Sequence, residues 1–278
     1  MASTSALRQT RELFVNLTQR ELRGKYKRTV LGQLWSLANP LALMIVYTFV
    51  FAFVIRIEVP PGEPSGLDVF PIWLLCGLVP WIFFANVVNH GMGALIANES
   101  LIKKVYFPRS VLVYSTAASI AVNWGIEMAV IVLVIVVAGA WGVLLWLPLV
   151  VVFMLLLAVF SVGLALMLSI ANVYFRDTQY FVTIVLQLGM YLTPIVYPLS
   201  LVQDQSDAFG PLFGSVTLMD VYTLNPMERF VIVFRDLLYN NTWPAAGDAL
   251  ACVLFAALAL VAGLLVFRRH ERKLAEIL

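Results

Sequence analysis

The stretch "RELRGKYKRTVLGQLWSLANP", Arg20 to Pro40, changes character part-way along. It begins with Arg20, Arg23, Lys25, Lys27 and Arg28, and it ends by opening an uncharged run that continues from Leu34 to Ile55. Cations gathered just before a long apolar segment mark the cytoplasmic border of a membrane span, because lysine and arginine are retained on the inner side. Runs of the same kind recur at Val69 to Ala97, Ser110 to Ala138, Val143 to Ala171, Tyr180 to Val196 and Ala249 to Phe267. At about 1.5 Å of helical rise per residue, most of these cover the roughly 30 Å of bilayer hydrocarbon, and the shortest does so if extended by a few residues. The 278-residue chain is 62% hydrophobic and only 12% charged, whereas a soluble domain is about 45–50% apolar. These features predict an all-α membrane protein with six transmembrane helices. A closed β-barrel would show short alternating segments, and these runs are continuous.

Orientation follows from the remaining cations. With the N-terminus in the cytoplasm, all of the 18 lysines and arginines except Arg56, Arg229 and Arg235 fall on the inner side. Both termini are then cytoplasmic. The net charge of +2 hides this asymmetry, because Glu58, Glu63, Asp68, Asp204, Asp207, Asp220, Glu228, Asp236 and Asp248 lie outside. Residues 1–33 form a cytoplasmic interface segment, 34–268 the six-span domain and 269–278 a cytoplasmic tail. Residues 1–33 are rich in arginine and lysine and lack an apolar core, so no cleaved signal peptide is expected. Cys76 and Cys252 sit in apolar runs without CxxC spacing and read as buried free thiols.

Three segments outside the spans carry structure of their own. Leu7, Leu13, Phe14 and Leu17 recur at helical spacing among Arg8, Arg11, Arg20 and Arg23, which predicts an amphipathic helix along the inner surface, apolar side to the acyl chains. The inner loop "ANESLIKKVYFPRS" mixes leucine and isoleucine with Lys103 and Lys104, as a short helix offered to a cytoplasmic partner would, or as a plain solvated loop. The outer segment, about 197–247, contains "NPMERFVIVFRDLLYNN", where Asn225, Pro226 and Glu228 are helix-start signals. The dozen or so residues that follow are too few to cross, so short re-entrant outer helices are expected between spans five and six.

No catalytic motif is present. The only Gly-Lys pair, Gly24-Lys25, is followed by tyrosine, so there is no phosphate loop; there is no HExxH, and His90 and His270 are far apart. Energy-dependent work would need ATP bound by another chain. Polarity inside the spans is informative. Trp35, Asn39, Leu43, Tyr47 and Phe51 follow one another at steps of four, as do Gln179, Thr183, Gln187 and Tyr191, with Tyr197 beyond. Span two adds Asn86, Asn89 and His90 beside Trp73, Trp81, Phe83 and Phe84. Amides and aromatic faces suit a path for sugars, whose rims carry hydroxyls and whose faces carry C–H groups; the same residues also serve helix packing and membrane interfaces. Glu127 is the acid inside a span, with Asn123 four residues earlier on its face, and reads as a hydrogen-bonded neutral group or as a coupling site.

"ELRGKYKRTVLGQLWSLANPL", the "NESLIKKVYFPR" loop, "NVYFRDTQYF" and "YLTPIVYPLS" occur in that order. Together they resemble the membrane subunit of bacterial ABC exporters for lipid-linked polysaccharides, of the Wzm and teichoic-acid TagG type, over essentially the whole chain. The resemblance implies a homodimeric channel above two copies of a separate ABC ATPase subunit, which binds ATP and magnesium; this chain is not catalytic and holds no cofactor. It implies a coupling helix at Asn98 to Pro108, including Asn98, Glu99, Ser100, Leu101, Ile102, Lys103 and Lys104. The substrate would be a polyprenyl-pyrophosphate-linked glycan of O-antigen, teichoic acid or galactan type, with Arg20, Arg23, Lys25, Lys27 and Arg28 attracting the pyrophosphate. No carbohydrate-binding domain accompanies the spans, and in this family such a domain belongs to the ATPase. An exporter of drugs or small lipids, or an ATP-independent transporter using Glu127 or His90, are the rival readings.

Overall fold

The computed structural model describes residues 2–25, 27, 29–30, 32–105, 107–212 and 214–274, without the side chains of residues 2–7, Lys25 and Arg272. Arg28 lies outside the described residues. Helix α1 (Ala2–Lys25) leads through a single 3-10 turn into α2 (Trp35–Tyr47), which continues as π-helix over Thr48–Val54. Then come α3 (Phe70–Ala97), the short α4 (Glu99–Lys104), α5 (Ser110–Val137), α6 (Val143–Tyr174), α7 (Thr178–Leu192), α8 (Leu199–Phe209), α9 (Leu218–Thr223), α10 (Pro226–Arg235) and α11 (Ala246–His270). Among the described residues, five helical stretches are long and apolar enough to cross a membrane: Gly32–Val54, α3, α5, α6 and α11.

The fifth expected span departs from its sequence reading. Tyr180 to Val196 does not form one helix; α7 stops at Leu192, which makes it about 22 Å long. Thr193 turns extended (φ −101°, ψ 134°) because it precedes Pro194, whose ring disfavours helical geometry in the residue before it.

Helix α3 is the axis of the bundle. Ile72 through Trp81 are all buried, and the helix packs on α5, α6, α7 and α10. Gly91 lets α6 approach, since a Cβ there would lie 2.8 Å from that of Ala165. Helices α6 and α11 cross through small residues, with Gly163 against Ala259 and Gly263. They run parallel: Trp146 and Trp243 meet edge-to-face near their N-terminal ends at 5.2 Å, and Tyr174 meets His270 at their C-terminal ends at 5.7 Å.

One end of the bundle gathers Arg20, Asn98, Arg109 and Glu271. Arg20 Nη2 donates to Asn98 Oδ1 at 2.7 Å, and the Arg109 amide donates to Glu271 Oε1 at 2.9 Å while its guanidinium bonds the Glu271 carbonyl. The C-terminal ends of α1 and α11 therefore lie on the same side. Helix α1 lies on α5, with Leu17 buried and Leu13 and Phe14 packed on the core. At these positions its apolar side meets protein where the sequence reading placed acyl chains.

Candidate functional site

Two of the expected stripes converge on the open side of the bundle. On α2, Trp35 and Asn39 are exposed and Tyr47 and Phe51 partly buried. The Tyr47 and Phe51 rings meet edge-on at 6.1 Å. The Tyr47 hydroxyl reaches Met190 Sδ on α7 at 3.8 Å and lies beside the Tyr191 hydroxyl. Helix α7 buries only Val182 and Leu186, leaving Gln179, Thr183, Gln187 and Tyr191 exposed. Thr183 Oγ1 is 2.8 Å from the Gln179 carbonyl and 3.3 Å from Asn89 Oδ1 on α3. Beyond the helix, Tyr197 donates to the Tyr191 carbonyl at 2.7 Å, and Tyr222 of α9 donates to Tyr197 at 3.0 Å.

The aromatics assigned to α3 are placed differently. Trp73, Trp81 and Phe83 are buried within the protomer. Trp81 fits against Gly189 of α7, where a Cβ would come 3.0 Å from the indole. Phe83 stacks on Trp124 of α5 with centroids 3.8 Å apart. Trp81 thus backs α7, and none of the three rings is exposed as Trp35 and Tyr191 are.

The α7 break is held by a group that the sequence reading counted only as an outer cation. Arg235, at the end of α10, is 7% exposed. Its Nη1 donates to the Pro194 carbonyl and its Nη2 to the Ile195 carbonyl, both at 2.7 Å, and its guanidinium carbon lies 3.5 Å from the centre of the Trp73 ring. At the other end of α10, Asn225 caps the helix by accepting from the Met227 amide at 3.0 Å and donates to Thr193 Oγ1 at 2.9 Å. Helix α10 thus spans the break from Thr193 to Ile195 at both of its ends. Glu228 stands in the first turn of α10 as expected, and it is buried there beside Arg229 at 3.2 Å, which also pairs with Asp248. Burial raises the Glu228 carboxyl to about 7 against the opposing pull of Arg229.

At the opposite end, α4 projects from the foot of α3. The helix Glu99–Lys104 is shorter than the Asn98 to Pro108 expected, because Val105 turns extended. Ile102 is buried and Leu101 half-buried, while Lys103, ion-paired with Glu99 at 2.5 Å, Lys104 and Ser100 are exposed. Asn98 joins three helices: it caps α3 and α4, donates to the Ala94 carbonyl at 2.9 Å and accepts from Arg20 of α1. Arg20, Arg23 and Lys27 are exposed nearby in sequence at the start of the bundle.

Residues 12–206 match the family described as ABC-2 type transporter. The chain belongs to that family. Among ABC-2 relatives, it is 31% identical over 271 residues to an O-antigen export system permease protein RfbA of Klebsiella pneumoniae, covering 96% of this chain and 95% of that one. It is 32% identical over 273 residues to the RfbA permease of Myxococcus xanthus, covering 97% and 96%. It is 22% identical over 253 residues to a polysialic acid transport protein KpsM of Escherichia coli, covering 91% of each. The match to ABC-2 transporters takes in α2, α3, α5, α6 and α7, the elements that carry both stripes and α4.

Proposed function

We propose that this chain is the membrane subunit of an ATP-driven exporter that moves a polyprenyl-pyrophosphate-linked polysaccharide outward across the bacterial inner membrane. The observation that carries the reading is the uncovered polarity of α2 and α7. An amide facing hydrocarbon without a partner costs about 2–7 kcal/mol, so Asn39, Gln179 and Gln187 need a second copy and a hydrated passage in front of them. Two protomers facing each other through α2 and α7 enclose such a passage, with Trp35, Tyr47, Phe51, Tyr191 and Tyr197 offering ring faces to sugars. The polysaccharide-exporting relatives favour this cargo over a drug.

The parallel run of α6 and α11 supports six crossings. The chain leaves α6 on the side of Tyr174 and enters α11 on the side of Trp243, so residues 175–245 must cross once. Helix α7 with its extended continuation is the apolar segment able to do so, and α8 to α10 then re-enter the outer leaflet. The cations of α1, α4 and the α11 end support a cytoplasmic position for both termini.

Two copies of a separate ATPase, holding ATP and magnesium, dock against α4 and α1. Their closure is passed on through Asn98, which links α4 to both α3 and α1. Replacing Lys103 and Lys104 together by glutamate is expected to reduce recovery of the ATPase with the purified permease at least tenfold while the permease still inserts. An undiminished complex would remove α4 from the contact. The broader test is depletion of the chain, which is expected to trap a lipid-linked polymer inside the cell. Absence of any such polymer would end the reading.

A further inference from the structure

The stripes leave one polar feature unused. Helices α2, α3 and α5 enclose a cavity of about 420 Å³, lined by Trp35, Ser36 and Asn39, by Phe83 and Asn86, and by Asn123, Trp124 and Glu127. Small-molecule sites run to about 300–1,000 Å³. We propose that this cavity binds one neutral glycosyl unit of the cargo, an inference that rests on the polysaccharide reading above.

Three of its polar atoms lack a hydrogen-bond partner: Ser36 Oγ, Asn123 Oδ1 and Trp124 Nε1. Asn123 and Trp124 are only 5% and 2% exposed, and buried groups left unpaired in this way are rare and call for a functional or solvent explanation. The lining supplies donors and acceptors together: amides that do both, a hydroxyl that does both, an indole that only donates and a carboxylate. A ring of hydroxyls, each able to donate and accept, is the ligand class that answers such a mixture. An apolar ligand would strand the amides. A phosphate would meet Glu127, with no lysine or arginine among the described lining residues.

The aromatic part of the site is fixed in advance. Trp124 is held by its stack on Phe83 and by an edge contact with Phe234 at 6.1 Å, while Trp35 remains half-exposed at the rim. One plate is thus rigid and one is accessible, as a sugar entering from the open face requires. A second cavity of about 520 Å³, bordered by Arg20, His90 and Asn98, adjoins the first through Ile120.

The test uses the full chain in lipid nanodiscs prepared without sugar-headed detergents. Saturation-transfer NMR is recorded against D-glucose, D-galactose, D-mannose, L-rhamnose and N-acetylglucosamine in turn. At least one is expected to take up saturation, with the signal falling at least fivefold in Glu127→Gln and in Asn123→Leu and unchanged in Trp243→Phe at the far end of the bundle. Glu127→Gln keeps the side chain's size, so it remains informative if Asn123→Leu does not insert. No transfer to any of the sugars, or transfer that survives both substitutions, overturns the subsite. If depletion still traps a lipid-linked polymer in that event, the exporter reading stands without the pocket; if it traps none, the exporter reading is what fails.

Discussion

Gly163→Val is expected to eliminate the folded chain from the membrane. A Cβ at Gly163 would lie 2.3 Å from the Ala259 carbonyl carbon, 2.4 Å from its oxygen and 2.5 Å from the Leu260 amide nitrogen. These are backbone atoms, so no side-chain rotation relieves the clash. The reciprocal contact is as tight, with a Cβ at Gly263 falling 2.3 Å from the Gly163 carbonyl oxygen. Helix α11 buries Cys252, Ala256, Ala259, Gly263 and Phe267 on one face, and in a membrane such pairs are held by close van der Waals packing through small residues. Overfilling a core usually costs about 1–3 kcal/mol, and separating two backbones along this face exceeds that range. Fluorescence-detected size-exclusion of the solubilised protein measures the outcome. Gly93→Ala, where a Cβ meets nothing within 4 Å, is expected to match the parent, and a parent-like peak from Gly163→Val would show that the two helices separate freely.

Arg235→Ala is expected to slow export at least tenfold while the ATPase still binds. The substitution strips donors from the Pro194 and Ile195 carbonyls, and each buried acceptor left unpaired costs about 1–3 kcal/mol. It also removes the cation lying on Trp73. The C-terminal end of α7, including Tyr191, then loses a tie to α10, and the contact of Asn225 with Thr193 remains. Arg235→Lys restores a single donor direction and should recover part of the rate, because an ammonium cannot span both carbonyls in one plane. Export at the parental rate from Arg235→Ala would mean that the strap has no part in transport.

The long apolar helices were legible because a span needs only length and composition; the expected runs beginning at Val69, Ser110 and Val143 start within a residue of α3, α5 and α6. The fifth span was overextended, since hydropathy does not register the local effect of Pro194 on Thr193. Local capping chemistry was readable at Asn225, but not that Glu228 would be buried beside Arg229, which reaches on to Asp248 of α11. The stripes on α2 and α7 stood out by periodicity alone. Trp73, Trp81 and Phe83 could not be sorted from them, because aromatic residues line passages and fill cores with equal ease. Arg235 was hidden for another reason: its partners lie about forty positions earlier in the chain, and backbone carbonyls leave no mark in a sequence. Asn123 and Glu127 were recognised as one helical face, yet the cavity they share with α2 exists only once three helices come together.

The fastening at Arg235 has a property that ordinary ion pairs lack. Its partners are two neutral carbonyls and an indole, sealed from solvent, so mobile ions have little access to weaken it. A gatepost secured in this manner should stand equally firm in brine and in fresh water: the drop in thermal midpoint caused by Arg235→Ala is expected to be the same at low and at high salt, where loss of a carboxylate-based latch would matter less in brine.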